Sequence, residues 1–201
     1  MAEAAYADPE NTVLHYADKD LRQLPGWHLT WTDHHLFYVA PGTFELVGPD
    51  KLIYGNKWLW LQMLQGDTAD HIPGLERQRT ADGKGWKTIA DGSALTEMKP
   101  CKNNASAARV VCALYEDYYG DAWADRFVEQ MALLWLRSNP AAPVVDFFTS
   151  QHSVLPRSGP CYQQILAATR RLKQRVKEAH DEIKIITDRP STNGDFEYTE
   201  W

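Results

Sequence analysis

The stretch Leu64-Gln-Gly-Asp-Thr-Ala-Asp-His-Ile-Pro-Gly-Leu75 decides how the rest of this chain is read. It places Asp67 and Asp70 three residues apart, just ahead of Pro73-Gly74, after an apolar run from Pro49 to Gln65. That run, with Leu52, Ile53, Trp58, Leu59, Leu61, Met63 and Leu64, is crowded enough to predict a buried helix. Residues three apart share one face at a helix start, so the two carboxylates are expected side by side. In that position they either cap backbone N–H groups or hold a hard cation through oxygen.

Working outward, a second acidic pair lies near the amino terminus. Asn11 to Ala17 (NTVLHYA) reads as a buried strand that empties into a loop at Asp18-Lys19-Asp20. In an extended chain, positions two apart point the same way, so Asp18 and Asp20 form a pair. The stretch DKDLRQLPG then reads as a short helix broken by Pro25 and Gly26. If the two pairs met without a cation, they would repel and raise one another's pKa, which is why such clusters usually hold magnesium. Each pair alone also fits a routine cap.

The remaining segments set the fold class. HLTWT, HLFYVA and TFELV read as strands, the last two joined at Pro41-Gly42 as a hairpin. The polar, Gly-rich stretch from Arg77 to Gly92 reads as loops and one short helix start. Two amphipathic helices follow, separated by Gly120. The first aligns Ala107, Val111, Leu114 and Tyr118, and the second Trp123, Phe127, Met131, Leu134 and Trp135. SNPAAPVVDFF, with two prolines, is a connection. A last helix, about Pro160 to Ile186, stacks Ile165, Ala168, Leu172, Val176, Ala179, Ile183 and Ile186. The expected fold is therefore an α/β amino-terminal remnant of few strands followed by a mostly α-helical region. We divide it into 1–48, 49–138, 139–188 with its basic helix, and a polar tail at 189–201.

The 201 residues, 44% hydrophobic and 24% charged, suit one globular unit or two small lobes. No apolar run approaches a membrane span and MAEAAYADPE lacks the pattern of a secretory signal, so a soluble, cytoplasmic protein is expected. Cys101, Cys112 and Cys161 fit neither a paired framework nor a zinc spacing, and read as reduced thiols. The net charge of −6 is unevenly spread. Between Arg157 and Arg189 eight Lys or Arg face four acids, giving +4 there and −10 elsewhere. Such asymmetry fits a chain that tracks a phosphate backbone with one face, and it also fits a solvated helix. The histidines form no spaced ligand set, and no nucleophile elbow is present.

ADKDLRQLPG followed some fifty residues later by LQGDTADHIPGL resembles the 5'-to-3' exonuclease and flap endonuclease family, in particular phage exonucleases and the exonuclease domain of bacterial DNA polymerase I. In that family a strand ends in a D-K-D-like motif, and a helix leads into G-D-[ST]-x-D-N-I-P-G. Then comes G-x-G-x-K-T-x-A, part of a helix-three-turn-helix that grips one DNA strand. Here His71 stands in place of the Asn, and GKGWKTIA supplies the third motif after a longer interval. The resemblance spans roughly Asn11 to Arg137.

It implies that Asp18, Asp20, Asp67 and Asp70 are catalytic metal ligands or carboxylates close to the metal, for Mg2+ or Mn2+. It further implies that Gly74, Gly83, Gly85, Lys87 and Thr88 bind DNA, the amides of Gly83 and Gly85 holding a phosphate at a helix start. A K+ ion at the helix-three-turn-helix is also implied. The family's further upstream acids have no match here, so two expectations stand: an amino-terminal nuclease segment on a separate polypeptide completes the fold, or the chain is a truncation. The expected partners are that segment and DNA ends or flaps. The expected function is metal-dependent 5'-to-3' phosphodiester hydrolysis. The alternatives are a non-cutting DNA-binding module of the same descent and an interaction domain using a Trp-rich surface.

Overall fold

The computed structural model describes residues 1–159 and 161–187. The expected polar tail at 189–201 and the side chain of Ile186 lie outside the described residues. After a short helix α1 (Ala2–Ala7), strand β1 (Val13–His15) runs parallel to β2 (Gly26–Leu29), and β2 pairs antiparallel with β3 (Leu36–Val39). Parallel neighbours need a crossover. Here residues 16–25 supply it, built around a 3-10 helix from Lys19 to Gln23. The Asp18-Lys19-Asp20 motif therefore sits where β1 ends, the end of an α/β sheet at which ligands are usually bound.

The strand pairing after β3 differs from expectation. β4 (Leu46–Val47) pairs with β5 (Ile53–Tyr54) rather than returning on β3, and Pro41-Gly42 forms a turn closed by Thr43 N–H donating to the Ala40 carbonyl at 3.1 Å. The reason lies in the helix that follows. The carbonyls of Thr43 and Phe44 accept from Asn56 and Lys57 N–H at 3.0 and 2.7 Å, satisfying donors at the start of α2 (Asn56–Gln65). Backbone spent there cannot also pair with β3.

Helix α2 is buried on every side from Lys57 to Leu64, as its apolar run predicts. Its two polar intrusions are paired: Lys57 Nζ with Glu45 at 2.9 Å, and Gln62 Nε2 with Asp20 at 2.5 Å. The chain continues through a hairpin, β6 (Arg77–Arg79) with β7 (Trp86–Thr88), and then α3 (Asp91–Met98), α4 (Asn104–Tyr119) and α5 (Trp123–Leu134). Asn103 and Ser106 form a reciprocal capping box at the start of α4.

Trp60, Tyr115 and Phe127 are fully buried between α2, α4 and α5, and Tyr115 donates to the Met63 carbonyl at 2.7 Å. The two-proline connection carries a short helix α6 (Asp146–Thr149). It is pinned by buried Asp146, which accepts from Trp135 Nε1 at 3.1 Å and Ser138 N–H at 2.7 Å.

The last helix, α7 (Tyr162–Thr187), packs on α5. Ile165, Ala168 and Leu172 join the same core as α2, α4 and α5, so residues of 49–138 and 139–188 share one hydrophobic interior. Val176 is only partly covered, and Ala179 and Ile183 are exposed, so the expected apolar stripe leaves the core after its first half. A small second cluster of Ala5, Leu14, Leu21 and Leu24 lies beneath the sheet. The chain is thus α/β with a large helical region. Where the resemblance implies a helix-three-turn-helix, a β-hairpin stands between the acidic turn and α3.

A candidate metal centre at the end of the first strand

Asp67 and Asp70 do not stand at a helix start. They occupy a tight turn after the carboxyl end of α2, closed by Asp67 N–H to the Ile72 carbonyl at 2.7 Å and Ile72 N–H to the Asp67 carbonyl at 2.8 Å. Two glycines at positive φ make that turn possible: Gly66 at +73° and Gly74 at +64°. A Cβ on Gly66 would collide with the Ile72 carbonyl, and one on Gly74 with the Gly66 amide. The loop therefore closes backbone against backbone, and the Gly-Asp…Pro-Gly spacing is the signature of that closure.

The turn carries its acids to the crossover after β1. One carboxylate oxygen from each of Asp20, Asp67 and Asp70 lies within 4.8 Å of the other two. Asp20 is 9% exposed and Asp67 2%, while Asp70 faces solvent. Asp67 accepts from Lys19 Nζ at 2.8 Å and from Ala69 N–H at 2.9 Å. Burial opposes its charge, but these donors, with Lys19 nearest, hold its carboxyl below the usual range. Asp20 moves the other way, to about 6. Burial raises it most, the Gln62 amide lowers it in part, and the charges of Asp18 and Asp67 add to the rise.

Asp18 does not join the cluster, which corrects the expectation of four converging aspartates. Its side chain accepts Asp20 N–H at 2.9 Å and caps the 3-10 helix, with its carboxyl exposed. The rule that residues two apart point alike holds for extended backbone. The chain has already turned by Lys19, so Asp18 looks outward and Asp20 inward.

The expected DNA-binding residues divide similarly. Gly74 is buried and its N–H donates to Gln130 Oε1 at 2.9 Å, so it serves the turn's packing and has no amide to offer a ligand. Gly83 and Gly85 lie in the hairpin connection rather than at a helix start. Their N–H groups donate to Thr80, to its carbonyl at 2.9 Å and its Oγ1 at 3.0 Å. Lys87 and Thr88 are exposed on β7. The hairpin is fastened to α4 by Arg79, which lies 4.5 Å over the Trp86 ring and donates to both oxygens of Asp117 at 3.0 Å.

Sequence reasoning passed over Lys19 and Gln62. Lys19 is the middle residue of Asp-Lys-Asp, and its ammonium is the positive charge that faces the cluster. Gln62 interrupts an apolar helix, a signal that was legible. Its Nε2 holds Asp20, and its Oε1 is buried without a partner. No protein-family model, curated protein or solved structure matches this chain.

Proposed function

We propose that Asp20, Asp67 and Asp70 hold a divalent cation, Mg2+ or Mn2+, and that the chain is the DNA-gripping part of a 5'-to-3' exonuclease or flap endonuclease. The observation that carries this reading is the convergence of carboxylates 47 residues apart in sequence, one of them pushed up to about 6 by burial among its neighbours. An all-oxygen donor set suits a hard cation. The orphaned Gln62 Oε1 shows that hydrogen bonds within the fold leave polar capacity at the cluster unfilled.

Asp67, held ionised by Lys19 and the Ala69 amide, would be the constant ligand. Asp20, kept in place by Gln62, would be the second ligand, and a cation would relieve the burial and like-charge repulsion that raise its carboxyl. Exposed Asp70 would face the DNA side. When bound, such a cation supplies a water of lowered pKa and withdraws charge from a phosphodiester. Lys19, 34% exposed and anchored on Asp67, neutralises the cluster meanwhile and presents an ammonium to a phosphate.

Among the described residues β1 is paired with β2 alone. We infer that its other edge takes a further strand from an amino-terminal nuclease segment, which would complete the acidic site. The strand-gripping function falls to the β6–β7 hairpin and α3, with Lys84 and Lys87 exposed on the hairpin. A second reading draws on the Lys19–Asp67 ion pair: an ammonium standing where a metal would fits a module that clasps DNA without cutting.

The test is cleavage of 5'-labelled flap DNA in Mg2+ or Mn2+, with the amino-terminal segment supplied. The nuclease reading expects shortening that Asp67→Asn reduces by about a hundredfold or more. Asn preserves the turn because it still accepts from Ala69. Persistent DNA binding with no cutting under any metal would select the clasping module.

A further inference from the structure

Arg22 is a cation that lies partly inside the fold without an ion pair among the described residues. It lies half-buried on the 3-10 helix, with its guanidinium 4.5 Å over the face of Trp58. Among the described residues its side chain makes no ion pair and no hydrogen bond. A partly desolvated guanidinium keeps five forked N–H donors that match a phosphate, and leaving them unpaired costs free energy.

Arg22 separates two adjoining depressions of about 440 and 430 Å3, which share Lys19, Arg22 and Leu52 on their walls. Each is within the size range of small-ligand sites. The second reaches Thr68, between the acids of the cluster. The first is walled by the phenols of Tyr16 and Tyr54 and by Trp31. Trp31 is 60% exposed in the connection between β2 and β3, held 4.7 Å from the His15 ring.

Two carboxylates line the first depression: Asp33 is exposed, and Asp50 is already engaged. Asp50 accepts from Tyr54 OH at 2.7 Å and from Leu52 N–H at 3.0 Å. The charge of Arg22 instead falls on the neutral phenols, opposing the burial that raises Tyr16 and Tyr54. What the depression offers is one unpaired guanidinium, a second cation in the Lys19 ammonium that also donates to Asp67, and an exposed indole on its wall.

We propose that this depression binds a nucleoside monophosphate unit, its phosphate forked by Arg22 and its base laid against Trp31. The assignment of a nucleotide, rather than another aromatic anion, rests on the nuclease reading. Under that reading it is where one nucleotide of the strand rests while its neighbour reaches Asp67 and Asp70. Stacking on an indole is indifferent to base identity, so the pocket accepts any of the four.

Calorimetric titration in EDTA, with deoxyadenosine monophosphate, deoxyadenosine and inorganic phosphate as probes, tests the proposal without metal or turnover. Wild type is expected to bind the monophosphate saturably. Arg22→Gln weakens the monophosphate and inorganic phosphate by about tenfold. Trp31→Ala, at a position 60% exposed and outside the buried core, weakens the monophosphate by about tenfold and leaves inorganic phosphate unchanged. No saturable binding by wild type, or the same affinity in both variants, overturns the pocket. The same preparations in the flap assay keep the two ideas apart. Cleavage without monophosphate binding removes the pocket alone, and monophosphate binding without cleavage removes the nuclease reading alone.

Discussion

At Gly66 and Gly74 the backbone does what no other residue would allow, and the acidic turn exists because of it. A Cβ on Gly74 meets the Gly66 amide at φ +64°, so Gly74→Ala should cost about 3 kcal/mol or more in urea unfolding. Gly42→Ala, also at positive φ but with open space around it, should cost about 1 kcal/mol. Equal costs would mean that the close approach is not what the glycine serves. His28 yields a second prediction at this scale. The Leu24 carbonyl can only accept, so Nε2 carries the hydrogen, and Nδ1 accepts from Tyr16 OH at 2.6 Å. Burial holds this ring neutral, down to about 4 from its ordinary 6.5. Between those values the unfolded chain takes a proton that the folded one refuses, so stability falls as pH drops through that window, by about 3 kcal/mol. Asp20, raised to about 6, has the opposite sign. The His28 contribution is therefore read as the acid-side loss in wild type that His28→Gln does not show.

Among the elements, those whose burial follows their own periodicity were legible in advance. Helix α2 lies inside because its apolar residues cover every face, and α5 buries the stripe that its spacing marks. In α4 Ala107 and Val111 are buried as expected, but Leu114 and Tyr118 are only partly covered and Cys112 and Tyr115 take the core positions instead. Pairing decided at a distance was not legible. Nothing local in Thr43-Phe44 says that their carbonyls will serve the first turn of α2, and that contact sends β4 to β5. Nor does Asp-Lys-Asp reveal that the chain bends between its acids, which separates Asp18 from the cluster. The hairpin at Gly83–Gly85 shows a further limit. Its glycines fit a phosphate-binding pattern, yet their amides are used by Thr80. Helix α7 carries exposed Arg170, Lys173, Arg175 and Lys177, while Arg171 is held by Asp125 through two bonds of 2.9 Å. If this face tracks DNA backbone, replacing Arg170, Lys173 and Lys177 by Glu should flatten the log Kd against log salt slope by about 2 to 3. An unchanged slope would assign these charges to solvent.

For the molecule as a whole, the arrangement segregates charge. A net −6 chain concentrates buried acid at the crossover after β1, places Lys19 and Arg22 beside it, and carries a basic helix packed on α5. Such a division suits a protein whose cation and whose phosphate ligand are held at adjoining places. The account depends on one cation shared by three aspartates. Calorimetric titration with Mn2+ tests this directly, comparing wild type with Asp18→Asn, Asp20→Asn, Asp67→Asn and Asp70→Asn. The account predicts saturable binding by wild type that each of the last three variants weakens by about tenfold or more, with Asp18→Asn within about threefold of wild type. Absence of saturable binding, or affinity indifferent to Asp20, Asp67 and Asp70, would contradict it.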